Sequence, residues 1–146
     1  MVDIRTKPDV PRRAVAMGTI RLRSRTIAAI RARRIEKGDP IAAAEVAGLQ
    51  AIKSTWQTLP HCHPIPLTSA SVEFESGKDF IVCTTTVEAT YKTGVEMEAL
   101  YGVSVALLTV WDMVKSLEKD ARGQYPSARI EGVRVVSKDK AKVRKR

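Results

Sequence analysis

Ser71-Val72-Glu73-Phe74-Glu75-Ser76-Gly77-Lys78-Asp79-Phe80-Ile81-Val82-Cys83-Thr84-Thr85-Thr86-Val87-Glu88-Ala89-Thr90 reads as two strands folded back on each other. Val72 and Phe74 fall on one face of the first strand, Ser71–Glu75. Ser76-Gly77-Lys78-Asp79 supplies the turn, and Phe80–Thr90 is the second strand, so the unit is a hairpin. Downstream, Leu100, Val103, Leu107, Val110, Val114 and Leu117 recur at 3,4 spacing, which predicts a helix from about Val95 to Glu118. Arg129–Val136 follows as a last strand. Upstream, residues 13 to 23 are β-compatible, and Ser24 is positioned to cap a helix running to about Glu36, where Lys37-Gly38 ends it. Asp39, with Pro40 at the first helical position, opens a second helix from Ala42 to about Trp56. Leu59–Pro66 holds three prolines and must be irregular. The order β, α in two pieces, β, β, α, β predicts an α+β fold on the split βαβ plan of ferredoxin-like proteins, an antiparallel sheet with helices on one face.

A chain of 146 residues fits one domain, since a core of this length buries roughly 70% of the surface that the unfolded chain exposes. The expected domain spans residues 1 to 146, with a basic, solvated tail from about Lys138. Only 5% of the residues are aromatic. The longest uncharged apolar run, Ala99–Trp111, is short of the ~20 residues a membrane span needs, so a buried helix and no membrane association are expected. Cys62 and Cys83, in a chain with no apolar leader, predict free thiols and a cytoplasmic protein. The charge is uneven: residues 1 to 34 carry ten basic and two acidic side chains, and residues 137 to 146 carry six and one. The 102 residues between them are mildly acidic. Basic ends of this kind hold nucleic acid nonspecifically or attract a polyphosphate, and charge alone chooses neither.

Three clusters carry chemistry. In Leu59-Pro60-His61-Cys62-His63-Pro64-Ile65-Pro66-Leu67, extended backbone would let His61 and His63 share a site with Cys62 facing away. A structural zinc takes four ligands and the chain has no CxxC or HxxxH partner, so no metal site is expected; His63 reads as an acid or a phosphate donor, or as packing of the turn. In Lys92-Thr93-Gly94-Val95-Glu96-Met97-Glu98, the free N–H groups of a helix start favour an anion, while Glu96 and Glu98 equally suit the helix dipole as plain stabilisers. In Trp111-Asp112-Met113-Val114-Lys115, Asp112 and Lys115 are i,i+3 neighbours. Behind a long uncharged run, a lysine there is expected to lose solvation and become a usable acid or base.

The helix also bears on assembly. Tyr101, Val105 and Leu108 lie away from the main stripe, among Glu98, Asp112, Lys115 and Lys119, so that side is covered either by another subunit or by a loop of the same chain. Glu98 and Asp112 are separated by 14 residues, or about 21 Å of helix, and cannot both grip one small reacting centre. They serve opposite ends of a long ligand, or each site takes Glu98 from one subunit and Asp112 from another.

These clusters, with Glu36-Lys37-Gly38-Asp39 and Ala47-Gly48-Leu49-Gln50-Ala51-Ile52-Lys53, closely resemble the molybdenum cofactor biosynthesis protein C family, the cyclic pyranopterin monophosphate synthases. The resemblance runs from Met1-Val2-Asp3 to about Lys138. It implies a ferredoxin-like subunit, a homohexamer built as a trimer of dimers, and active sites at the dimer interface. It also implies a lyase-type reaction in which a cyclised dihydro-GTP, supplied by a radical enzyme, becomes cyclic pyranopterin monophosphate and pyrophosphate without a cofactor. Carried over by motif, Lys37, Asp112 and Lys115 are the expected acid-base set. Arg12, Lys53, His63, Glu96 and Glu98 are expected to bind the nucleotide triphosphate derivative, with Cys62 and Met97 lining the pocket and Lys138 matching a basic residue of the C-terminal segment. The chain departs from the pattern at His61, Trp111 and Val114, where leucine, tyrosine and cysteine are usual, and in Lys138-Asp139-Lys140-Ala141-Lys142, where a glycine-rich segment is usual. The competing reading is a small basic RNA- or DNA-binding protein of the same fold, which would display aromatic residues on its strands; Phe74, Phe80 and Tyr91 are the candidates, without an RNP-like run. That reading leaves the lysine and aspartate cluster without purpose, so no specific nucleic acid is expected.

Overall fold

In the computed structural model, which describes residues 1 to 141, the chain forms β1 (Val10–Arg21), α1 (Ser24–Arg31), α2 (Pro40–Thr58), β2 (Leu67–Ser76), β3 (Phe80–Tyr91), α3 (Glu96–Glu118) and β4 (Arg129–Lys140). The strands lie in the order β2-β3-β1-β4, and every neighbouring pair is antiparallel. This is the ferredoxin-like plan expected from the element order. The hairpin closes as read: the Gly77 N–H donates to the Phe80 carbonyl at 2.9 Å, and Ser76 pairs with Ile81.

Alternation on the strands and 3,4 spacing on the helices meet in one core. Ala14, Ala16 and Ile20 of β1, with Ile81, Cys83, Val87 and Ala89 of β3, face Ala99, Val103, Leu107, Val110 and Val114 of α3. Small residues set how closely the layers approach. A Cβ at Gly18 would stand 2.9 Å from Val103 Cγ1, and one at Gly102 would stand 2.6 Å from Ile52 Cγ1. By length and composition α3 qualifies as a membrane span, yet its apolar stripe is spent against the sheet.

Several boundaries differ from the sequence reading, and β2 begins at Leu67 rather than Ser71. The first strand begins at Val10, with Pro11 near its start, where one missing N–H costs little. The first helix stops at Arg31 rather than Glu36, because the chain turns through Arg33 at φ 54° and brings Ile35 into the core. Ser24 does not cap it: Arg23 is the N-cap residue, and its N–H donates at 2.9 Å to Glu118, a fully buried carboxylate that also accepts from the Thr26 hydroxyl. The last strand extends through Lys140 instead of ending at Val136, pairing Ala14 with Lys138 and Arg12 with Lys140. The expected loose tail therefore starts too early, since Lys138, Asp139 and Lys140 belong to the sheet; residues 142 to 146 lie outside the described residues.

Among the described residues the outer side of α3 is only partly covered. Tyr101 is half-buried and its hydroxyl donates to Thr58 Oγ1 of α2 at 3.2 Å, Val105 is half-buried, and Leu108 stays 58% exposed.

Candidate active site

Charged groups gather at both ends of α3. At its C-terminal end, Asp112 and Lys115 project from consecutive turns, and the Lys37 loop arrives from across the chain. Gly38 takes the left-handed conformation at φ 98°, and Asp39 Oδ1 accepts from the Ile41 and Ala42 N–H groups at 2.9 and 3.2 Å. This fixes the start of α2 and aims Lys37 at α3. Lys37 Nζ donates to Asp112 Oδ2 at 2.7 Å and to the Asp112 carbonyl at 3.0 Å, while Lys115 Nζ donates to Oδ1 at 2.7 Å. Each carboxylate oxygen thus holds one ammonium.

Hydrogen bonds from Lys115 and then Lys37 hold the Asp112 carboxyl down at about 2, and the bond to Asp112 holds the Lys115 ammonium above the ordinary lysine range. The three side chains are 44 to 55% exposed. The expected desolvation of Lys115 is the weaker effect in the single chain: the hydrogen bond and charge of Asp112 outweigh the downward pull of burial.

At the other end, Thr93 and Gly94 lead into α3 beside the proline-rich turn. A cavity of about 330 Å³ is lined by His61, Cys62, His63, Ile65, Thr93, Gly94, Glu96, Met97 and Glu98. Gly94 and Glu96 also border a second cavity of about 150 Å³, together with Arg12, Arg13, Lys138, Asp139 and Lys140. Glu98 is buried, and burial raises its carboxyl, with the Glu96 charge adding to the rise and its own backbone N–H opposing it. For Glu96, burial pushes upward, but the Lys138 ammonium at 3.0 Å, the Glu96 N–H and the charges of Lys138 and Arg12 together bring it below the ordinary range. Arg12 is steered by carbonyls, Nε donating to Tyr91 at 3.4 Å and Nη2 to Lys92 at 3.3 Å. Burial, then the Glu98 charge, raises the Cys62 thiol, so it lines the cavity as a neutral group.

The structure brings Lys37, Asp112 and Lys115 together at one end, and Arg12, Cys62, His63, Glu96, Met97, Glu98 and Lys138 at the other. Lys53 joins neither group; it is exposed on α2 and lines neither of these two cavities. Cys62 does not face away from the two histidines, because its N–H donates to the Leu59 carbonyl at 3.0 Å in a turn, and the alternation of extended backbone is lost there. Arg13, Asp139 and Lys140 were not singled out as site residues; the signal was the alternating charge of Lys138-Asp139-Lys140, legible only once that segment is a strand paired to Arg12. Among the described residues no three His, Cys, Asp or Glu side chains are grouped to hold a metal ion. The aromatic residues do not form a stacking surface: Phe74 and Tyr91 pack on the core, and Phe80 lies under the Arg21 guanidinium at 5.2 Å.

A one-sided antiparallel sheet packed against a long helix, with an aspartate clasped by two lysines at one end of that helix and charge-lined cavities at the other, defines a ferredoxin-like protein with a charged candidate site. The family model described as the MoaC family matches residues 1–141, and the chain belongs to that family. Relatives named "Probable cyclic pyranopterin monophosphate synthase" include those of Thermococcus onnurineus (57% identical), Pyrococcus furiosus (56%) and Pyrococcus abyssi (59%), each over 140 residues. These alignments cover 96% of this chain and 90%, 90% and 88% of the respective relatives.

Proposed function

We propose that this chain is a cyclic pyranopterin monophosphate synthase of molybdenum cofactor biosynthesis, a cytoplasmic lyase that converts a cyclised dihydro-GTP into cyclic pyranopterin monophosphate and pyrophosphate. The observation that carries this reading is the meeting of Lys37 and Lys115 on Asp112 at 2.7 Å each, from positions far apart in sequence. Such a group stores protons beside a fixed negative charge, which a rearrangement without a redox cofactor requires.

The binding end supplies complementary chemistry. Arg12, His63 and Lys138 suit phosphate oxygens, and the carboxylates of Glu96 and Glu98 suit the N–H edge of a guanine-like ring. Lys53 is carried into this set by family resemblance alone. Because α3 separates Glu98 from Asp112 by about 21 Å, each complete site combines Glu98 of one chain with Asp112 of another. The open Leu108 side of α3 supports that arrangement, since a second subunit laid there would shield Lys115 from water and bring the two ends of neighbouring helices together. The assembly is a homohexamer of three dimers, and a radical enzyme supplies the substrate.

The direct test is to supply the cyclised dihydro-GTP to the purified protein and measure pyrophosphate. Stoichiometric release with formation of the pterin product supports the assignment; intact substrate after prolonged incubation with correctly assembled protein rejects it.

A further inference from the structure

The segment before β1 is held down more firmly than its exposure implies. Residues 1–9 are exposed except for half-buried Ile4, yet three of their carbonyls accept hydrogen bonds from His63, which lines the site, and from Lys92, adjacent in the chain to the site's Thr93. His63 Nε2 lies 2.9 Å from the Val2 carbonyl, and because a carbonyl only accepts, His63 donates. Lys92 Nζ, one residue before Thr93, donates to the Arg5 and Lys7 carbonyls at 3.1 Å each. Under this segment lies a cavity of about 530 Å³ lined by Met1, Val2, Ile4, Lys7, His61, His63 and Thr93. His61, His63 and Thr93 also line the Cys62 and Glu98 cavity, so the segment roofs one mouth of the binding end.

We infer that residues 1–7 are a strap clasped by Lys92, and that an oligophosphate entering the site displaces the Val2 carbonyl from His63 and loosens the strap. This rests on the phosphate-binding role proposed for His63. The physical basis is acceptor strength: an anionic phosphate oxygen accepts a stronger hydrogen bond than a neutral carbonyl, so it wins the single Nε2–H. Lys92 then acts as a positioning residue, since it touches the strap and sets how readily the mouth opens without needing to touch the ligand.

Trypsin reads the strap directly. Arg5 is the first cleavable position, and Lys7 is protected by Pro8. Lys92→Met is expected to be cut after Arg5 about tenfold faster than wild type, the effect of losing about one net hydrogen bond's worth of closure. Inorganic triphosphate is expected to speed cutting of the wild type and to leave His63→Ala unchanged. In turnover, Lys92→Met should lower KM with kcat preserved, a split that a general loss of structure does not produce. Equal cutting of wild type and Lys92→Met, or slower cutting with triphosphate bound, overturns the strap. Triphosphate that binds by calorimetry without altering the cutting also overturns it. Absence of calorimetric binding overturns the phosphate reading of the site and the release step with it.

Discussion

The two ends of α3 carry carboxylates of opposite character. Asp112 stands half in water, and its proton affinity is set by two ammonium groups that touch it. Glu98 is withdrawn from water, and burial dominates its affinity and raises it. One end is tuned by contact and the other by environment. A site tuned by environment is ready in the single chain, whereas one tuned by exposed contacts depends on what comes to cover it. Under the proposed assembly, the Asp112 end would gain most from being covered and the Glu98 end least.

Replacing Lys37 or Lys115 by alanine should have the largest effect, a loss of ~10²–10⁴-fold in pyrophosphate release, the usual scale for removing a general acid or base. Sedimentation should show the assembly unchanged; near-normal turnover in both variants would mean the contact-tuned end is ornamental. Next, inactive Glu98→Ala and Asp112→Ala chains, mixed and reassembled, should recover part of the wild-type turnover. Verified mixed oligomers that stay silent would place both ends in separate, single-chain sites.

A change at the middle of the helix should separate folding from chemistry. Gly102→Val drives a branched side chain into Ile52 and should cost about 1–3 kcal/mol by overpacking, read from thermal or urea unfolding. The two carboxylates should then diverge in their response to pH. The raised Glu98 affinity means that the folded chain binds its proton more tightly than the unfolded chain, so wild-type stability falls as pH rises from the unfolded value near 4.5 to the higher folded value. Glu98→Gln should thus be more stable than wild type above that window and similar below it. The lowered Asp112 affinity works in the other direction, with stability present above about 3.8 and lost as pH falls through about 2. Asp112→Asn should give the smallest shift, and high salt should shrink it further, because exposed pairs are screened. Identical pH profiles for the two variants would erase the distinction between the ends.

Much of this was legible before any coordinates. The hairpin, the Asp39-Pro40 start of α2 and the α3 stripe follow from local turn chemistry and periodicity, and all are present except that Leu117, at the end of the stripe, is exposed. Convergence of Lys37 with Asp112 and Lys115 followed from family resemblance, since no local rule links residues 75 positions apart. What failed depended on tertiary context. Nothing in Arg31-Ala32-Arg33 breaks a helix; the need to bury Ile35 does. Nothing in Lys138-Asp139-Lys140 is apolar enough to announce a strand; pairing with β1 makes one. Extended backbone would turn Cys62 away from the histidines, but a turn runs there instead, and the exposed position of Lys53 follows from how α2 lies on α3.

Cys83 gives the molecule a built-in clock for global opening. It is fully buried in β3, between β1 and β2 and beneath α3, and burial pushes its thiol up to about 12. At neutral pH a thiol reagent should find it inert in the native chain, so its labelling rate counts the moments when the sheet comes apart. Cys62, on the rim of the cavity, should react far sooner, and the interval between the two additions would time the lifetime of the folded chain.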